Sequence, residues 1–170
     1  MRGTGLRDGR PMEMNYDEYR KEKTSKAIEY QDFVCTWMAK NYGIVMTVFS
    51  SKKYQYNVGE TLQGIEIKYD MMYGKTGNIY IETGEKASPR IGEYYNSGIY
   101  RNDNTWLYFI GDYDDLYVFS KKQLIKINEK KMYYKFIENN NTSTSCGFLL
   151  DKQKADNYCI IKFNLKNVVV

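Results

Sequence analysis

Two short stretches of this 170-residue chain carry acids and amines at spacings that could do chemistry. Gly64 to Asp70 alternates, and a strand period of two puts Ile65, Ile67 and Tyr69 on one face and Glu66, Lys68 and Asp70 on the other. Asn78 to Thr83 alternates as well, separating Ile79 and Ile81 from Asn78, Tyr80 and Glu82. Met71 to Gly77 between them holds two glycines, so the two stretches are expected to pair as an antiparallel hairpin. In a symmetric closure Glu66 opposes Glu82, Lys68 opposes Tyr80 and Asp70 opposes Asn78. Opposed carboxylates have Cβ atoms about 5 Å apart and repel unless a positive group sits between them. A magnesium or manganese ion is one such group: it takes one or two carboxylates, completes its shell with water and substrate phosphate, and activates the water as a nucleophile. Lys68, on the same face, is placed to orient or deprotonate that water and to counter charge developing on a phosphate. An ordinary half-exposed sheet face shows the same alternation, with each glutamate paired to Lys68 and nothing more, and alternation alone favours that plainer reading.

The rest of the composition narrows the chemistry. Histidine is absent, which removes serine-histidine and cysteine-histidine catalysis and imidazole metal ligation together. Cys35, Cys146 and Cys159 are odd in number and widely spaced, which suits neither a disulfide framework nor a zinc site and leaves them as expected buried thiols. Catalysis must then rest on carboxylates, lysine, tyrosine or an oxygen-held metal.

The net charge of +4 is too mild to indicate nucleic acid by itself, but its distribution is uneven. Lys121, Lys122, Lys126, Lys130, Lys131 and Lys135 fall close together, and Lys52 and Lys53 form a pair. Lys52, Lys53, Lys121 and Lys122 are the candidate phosphate-binding residues, although such runs are usually a solvated face. Eighteen tyrosines include several beside lysine, as in Lys53-Tyr54-Gln55-Tyr56, where a ring could stack a base while the amine neutralises phosphate. Tyrosine is also a good strand residue, and that explanation is preferred.

These residues need a scaffold, and the chain is long enough for one core. Residues 1–15 are glycine-rich and unpatterned, so an N-terminal extension is expected there, followed by a single domain over 16–170. Thr24 or Ser25 is a candidate cap for a helix to about Asn41 with the stripe Ala27, Tyr30, Val34, Trp37 and Met38, stopped by Gly43. Ile44 to Phe49 reads as a short buried strand, Ser50 to Glu60 as a loop, and Thr105 to Ile110 with Leu116 to Ser120 as a strand pair. Ser120 is a cap for a short helix through Glu129, and Lys131 to Ile137, Phe148 to Leu150 and Tyr158 to Leu165 supply further strands. The order predicts an α+β domain with one mixed, mainly antiparallel central sheet and flanking helices. No apolar run long enough for a membrane span and no leader pattern is present, so a cytoplasmic protein is expected. The acceptor pattern Asn140-Asn141-Thr142 has no meaning without export.

Gly59-Glu60-Thr61-Leu62-Gln63-Gly64-Ile65-Glu66-Ile67-Lys68-Tyr69-Asp70, followed by Gly77-Asn78-Ile79-Tyr80-Ile81-Glu82-Thr83-Gly84-Glu85-Lys86, resembles the acid-bearing strands of the PD-(D/E)XK, or restriction-endonuclease-like, nucleases. The resemblance covers about Lys26 to Glu85, and Ser97-Gly98-Ile99 and Trp106 to Gly111 more loosely. It implies a restriction-endonuclease-like fold and hydrolysis of DNA phosphodiesters with magnesium or manganese. In that superfamily one acid begins a strand, a glutamate with a lysine two residues later follows, and both acids hold metal. One mapping takes Glu66-Ile67-Lys68 as the later motif and Glu60 as the earlier acid; the other takes Glu66 as the earlier acid and Glu82 as the later one, with the lysine displaced. Both need Glu66 and Lys68. Glu29 lies in the helix where some members carry a third acid, though a surface glutamate is the commoner explanation. The alternatives are a non-catalytic nucleic-acid- or protein-binding module on the same fold, and an interaction module whose tyrosine-rich strands join two copies in a homodimer.

Overall fold

Helix α1 spans Tyr16–Tyr42 and stops at Gly43, where the sequence places its end. Its start is earlier than the expected cap at Thr24 or Ser25. The buried stripe is Tyr30, Val34, Trp37 and Met38, together with Gln31, whereas Ala27 is exposed. The structure is a computed structural model and describes residues 16–88, 92–138 and 144–166. The expected extension over 1–15 and the acceptor pattern Asn140-Asn141-Thr142 lie outside these.

Beyond α1 the expected strand Ile44 to Phe49 does not form. Ile44 and Val45 are exposed, and a single bridge joins Val48 to Thr61. The expected loop that follows contains a short helix, α2 (Lys52–Asn57), none of whose residues is buried. The next elements are β1 (Ile65–Tyr69), α3 (Tyr73–Thr76), β2 (Asn78–Glu85), β3 (Tyr95–Asn96), a 3-10 turn at Gly98–Tyr100, β4 (Leu107–Gly111) and β5 (Asp115–Ser120). Then come α4 (Lys121–Glu129), β6 (Lys135–Glu138), β7 (Ser145–Asp151), α5 (Lys152–Tyr158) and β8 (Ile161–Asn164). Ser120 caps α4 as expected, its hydroxyl accepting from Gln123 N. Asp151 caps α5 in the same way, a helix between the two last expected strands, Phe148 to Leu150 and Tyr158 to Leu165, that overlaps the second only at Tyr158.

The strands form two four-stranded sheets rather than one. The first has the order β1-β4-β5-β8, with β1 parallel to β4 and the other pairs antiparallel; the second, β3-β2-β7-β6, is antiparallel throughout. The expected hairpin between Gly64 and Glu82 is therefore absent. Glu66 is the register partner of Tyr108 and Glu82 that of Gly147, so the two glutamates do not oppose each other. Asp70 gives the physical reason. Its Oδ1 accepts from Met72 N at 3.0 Å and Tyr73 N at 3.1 Å, starting α3, while Oδ2 accepts from Tyr80 N at 2.8 Å. The turn needed for a tight hairpin is spent on a helix, and β2 leaves to join another sheet.

Alternation along β4 shows how the layers stack. Phe109 belongs with Ile65, Ile67, Leu116 and Val118 in a core under α1, while Tyr108 and Ile110 belong with Ile79, Ile81, Tyr117, Phe119, Phe148 and Leu150 between the sheets. Ile79 and Ile81 thus share no core with Ile65 and Ile67, contrary to the hairpin expectation. The face of β1 that carries Glu66 is not a solvent face: it looks toward the second sheet. The result is a single α+β domain with one mixed and one antiparallel sheet and flanking helices. Among the described residues no helix is long and apolar enough to cross a membrane.

Candidate functional site

The outer edge of β1 and the first half of β2 flank a cleft of about 1630 Å³, lined by Glu60, Glu66, Lys68, Asp70, Tyr80, Glu82, Arg101 and Tyr108 among others. All four residues singled out from the sequence as catalytic, Glu60, Glu66, Lys68 and Glu82, are on its wall. They arrive there from two sheets and a connecting segment, not from one hairpin.

Thr61 staples the start of β1: its hydroxyl accepts from Ile65 N at 2.8 Å and donates to Ile65 O at 2.9 Å. Gly64 precedes the strand at φ 73°, with Asn104 O 2.4 Å from where a Cβ would sit, so only glycine fits this close approach. β1 is an edge strand, and edge N–H groups need partners. Glu60 supplies one, accepting from Ile67 N at 3.2 Å, and also accepts from Gln31 Nε2 of α1. Burial pushes the Glu60 carboxyl above the usual glutamate range; Lys68 pulls the other way and the Glu66 charge adds to the rise.

Glu66 is buried, with 1% of its side chain exposed, and is bracketed by cations. Lys68 Nζ lies 2.6 Å from Oε1 and Arg101 Nη2 lies 2.9 Å from Oε2. Burial alone would lower the Lys68 pKa, but the carboxylates of Glu66, Glu60 and Glu82 outweigh it and hold the ammonium above its ordinary value. Of the three, only Glu66 is in direct contact with the amine. Glu82 accepts from the Ser97 hydroxyl at 2.7 Å.

Arg101 was not legible in the sequence. It sits in a loop that clasps the site: Ser97 holds Glu82, Arg101 holds Glu66, and Asn104 Nδ2 donates to Thr61 O at 2.9 Å beside β1. Gly98 lets the loop lie flat, at φ 53° with Glu82 O 2.2 Å from where a Cβ would be. Arg101 Nε is in turn 2.6 Å from Asp103, and Lys121 Nζ is 3.0 Å from the same carboxylate. Burial would raise the Asp103 pKa, but hydrogen bonds from Arg101 and Lys121 hold it below the usual range. The one signal in the sequence was Ser97-Gly98-Ile99, which sits just before the arginine.

The candidate phosphate-binding lysines separate. Lys52 lines the cleft from α2 and Lys53 beside it is exposed. Lys121 is engaged by Asp103 and by Arg101 O, and Lys122 borders a separate cavity beside α4. Glu29 is exposed on α1, accepts from the Ser25 hydroxyl at 3.1 Å and is not on the cleft wall. The three cysteines are free; Cys146 is buried and Cys35 and Cys159 are half-buried.

A hard cation fits the donor types here, since every acid on the wall offers carboxylate oxygen. Both oxygens of Glu66 already face a cationic side chain, Oε1 the Lys68 ammonium and Oε2 the Arg101 guanidinium, so a metal ion there would have to displace one of them. Among the described residues no group of three acid or thiol side chains could hold a metal ion as it stands. No family model matches the chain, and no curated protein or solved structure is significantly similar to it.

Proposed function

We propose that this protein is a metal-dependent nuclease that hydrolyses DNA phosphodiester bonds at the Glu66 cleft, related to the PD-(D/E)XK, restriction-endonuclease-like enzymes. What supports the reading is that Glu60, Glu66, Lys68 and Glu82 all line one cleft, with the Lys68 amine 2.6 Å from Glu66. Glu60 and Glu66 serve the same strand edge, which favours Glu60 as the earlier acid and Glu66-Ile67-Lys68 as the motif, with Glu82 across the cleft.

In this reading Glu66 and Glu60 would hold magnesium or manganese, which when bound would supply Lewis-acid charge and a water of lowered pKa. Lys68 orients the attacking water and counters charge on the phosphorus oxygens. Arg101 fixes Glu66 through Oε2, beside the Lys68 amine on Oε1. Lys52 and Tyr56, on the α2 lip, meet the strand carrying the scissile bond, amine to phosphate and ring to base.

Plasmid and single-stranded DNA incubated with magnesium, with manganese and with chelator test this directly. Cleavage that needs metal and is lost in Glu66→Gln supports it; no cleavage under any condition rejects it. A second reading draws on the Glu66 bracket itself. Both oxygens already have cationic partners, as in a closed charge network, and a non-catalytic nucleic-acid-binding module would show salt-sensitive binding without cleavage.

A further inference from the structure

On β2, Ile79 and Ile81 face the core between the sheets, so Asn78, Tyr80 and Glu82 face the other way, into the cleft. Register partners carry that face across the second sheet: Tyr80 pairs with Leu149, which pairs with Lys135, and Glu82 pairs with Gly147, which pairs with Ile137. Leu149 and Ile137 line the cleft as well, so its wall continues over this face. Tyr80, Leu149 and Ile137 are half-buried and Lys135 is exposed, whereas Phe148 and Leu150 on the opposite face are fully buried. Strands pair about 4.8 Å apart, which puts Lys135 about 10 Å across the sheet from Tyr80. It lies on β6, the last strand in the order β3-β2-β7-β6.

We infer that this sheet face carries a single DNA strand out of the cleft, from Tyr80 across Leu149 to the amines of Lys135, Lys131 and Lys130, which bind its phosphates. The inference rests on the reading of the cleft as a nucleic-acid site. Lys130 and Lys131 stand between α4 and β6, just before Lys135, and all three are exposed. Their charge is unmatched. Lys68, Lys121, Lys154, Lys162 and Lys166 are each held by a carboxylate, but among the described residues none of these three amines has an acid partner. Unmatched amines grouped on one surface attract a polyanion, and a phosphate chain is the polyanion that the adjoining cleft would already hold. The row between cleft and lysines selects the form of that chain. Tyr80, its hydroxyl donating to Ser145 Oγ at 3.2 Å, and Leu149 beside it offer a ring and an aliphatic patch to bases, whose faces are free in a single strand and stacked away in a duplex.

The test is a variant carrying Lys130→Gln, Lys131→Gln and Lys135→Gln, which removes the charges and keeps the side-chain stems. Binding of single-stranded DNA of about 4 and about 12 nucleotides, lengths within the range that a single-strand groove covers, is measured on the full chain by fluorescence anisotropy over a salt series with chelator. Wild type should bind the longer strand more tightly than the shorter. The variant should erase that difference, weakening the longer strand on the order of tenfold and flattening its salt dependence by about 2, roughly 0.7 for each phosphate released. The shorter strand should bind both proteins alike, with equal melting temperatures. Lys122→Gln with Lys126→Gln, exposed amines beside the separate cavity at α4, should leave both lengths unchanged. Wild-type binding that does not depend on length, equal weakening of both lengths in the triple variant, or the same loss in the Lys122 and Lys126 variant overturns the inference. So does loss of binding to phosphatidylserine vesicles with DNA binding unchanged, which would mark a lipid surface. The two readings fail separately. Length-dependent binding through these lysines without any cleavage removes the nuclease and keeps the path, whereas metal-dependent cleavage with the triple variant indistinguishable from wild type removes only the path.

Discussion

Lys68 Nζ stands 2.6 Å from Oε1 of Glu66, two residues back along the same strand, and this short pair joins a buried acid to an amine that reaches solvent. The side chain of Lys68 is 45% exposed while that of Glu66 is 1% exposed, so the lysine is the buried charge's route to water. Lys68→Ala is expected to abolish cleavage. It should also lower the melting temperature by a few degrees, on the order of 1 kcal/mol, because Arg101 still balances Glu66 and the exposed amine is screened. Cleavage at the wild-type rate would remove Lys68 from the mechanism.

Ile67 tests which face of β1 is which. It is 6% exposed and packs with Val34, Met38 and Phe109 under α1. Ile67→Asp places an unpaired carboxylate there at a cost of several kcal/mol, and loss of cooperative unfolding by circular dichroism is the expected outcome. A variant that melts like wild type would mean that the core under α1 is wrongly assigned.

Glu60 makes a prediction about pH. Its carboxyl is raised by burial, so the folded protein binds that proton more tightly than the unfolded chain does. Stability from this group is then full below the ordinary glutamate value, about 4.3, and is lost as pH rises through the raised one. Urea midpoints measured from acid toward neutral pH should fall less steeply in Glu60→Gln than in wild type. Some slope will remain, because burial raises Asp70 in the same direction. Identical slopes would contradict a Glu60 carboxyl raised by burial.

The lysines divide into two kinds. Lys52 and Lys53 on α2 belong to a helix that buries none of its residues, so replacing both by alanine should leave melting unchanged. The salt dependence of DNA binding should flatten by a slope of about 2, one for each phosphate that the double variant leaves unneutralised. Lys121→Ala should do the reverse, lowering stability with little change in slope, since its amine is committed to Asp103 and Arg101 O. Fluorescence anisotropy over a salt series separates the two; a flattened slope in Lys121→Ala would reverse the assignment.

The sequence showed which residues of β1 share a face, though not that the Glu66 face is buried, and it showed the β4 and β5 pair and the capped α4, because each depends on local period or a cap that a single segment carries. It did not show that β1 would lie parallel to β4, since partner choice was decided by Asp70, which spends its carboxylate on Met72, Tyr73 and Tyr80 and so replaces a hairpin turn with a helix. The site was half legible for the same reason. Glu60, Glu66, Lys68 and Glu82 could be picked by type and spacing, and all four reach one cleft, but Glu66 and Glu82 do not face each other across a hairpin as their spacing suggests. Arg101 and Tyr108 come from loop closure and strand register across long sequence separations, and no spacing rule announces them.

Metal-linked melting of wild type and Glu66→Gln tests the central claim most directly. Without metal the variant should melt well below wild type, because Lys68 and Arg101 lose the acid between them, and breaking a buried pair costs about 3–5 kcal/mol. Saturating manganese should raise the wild-type melting temperature by several degrees, since a cation held at Glu66 and Glu60 binds only the folded chain, and at a hundredfold over Kd this stabilises by about 2.7 kcal/mol. In Glu66→Gln most of that rise should vanish. A variant that keeps the full manganese-dependent rise, or a wild type that shows none, would contradict Glu66 as a metal ligand and leave the bracketed glutamate as a structural charge.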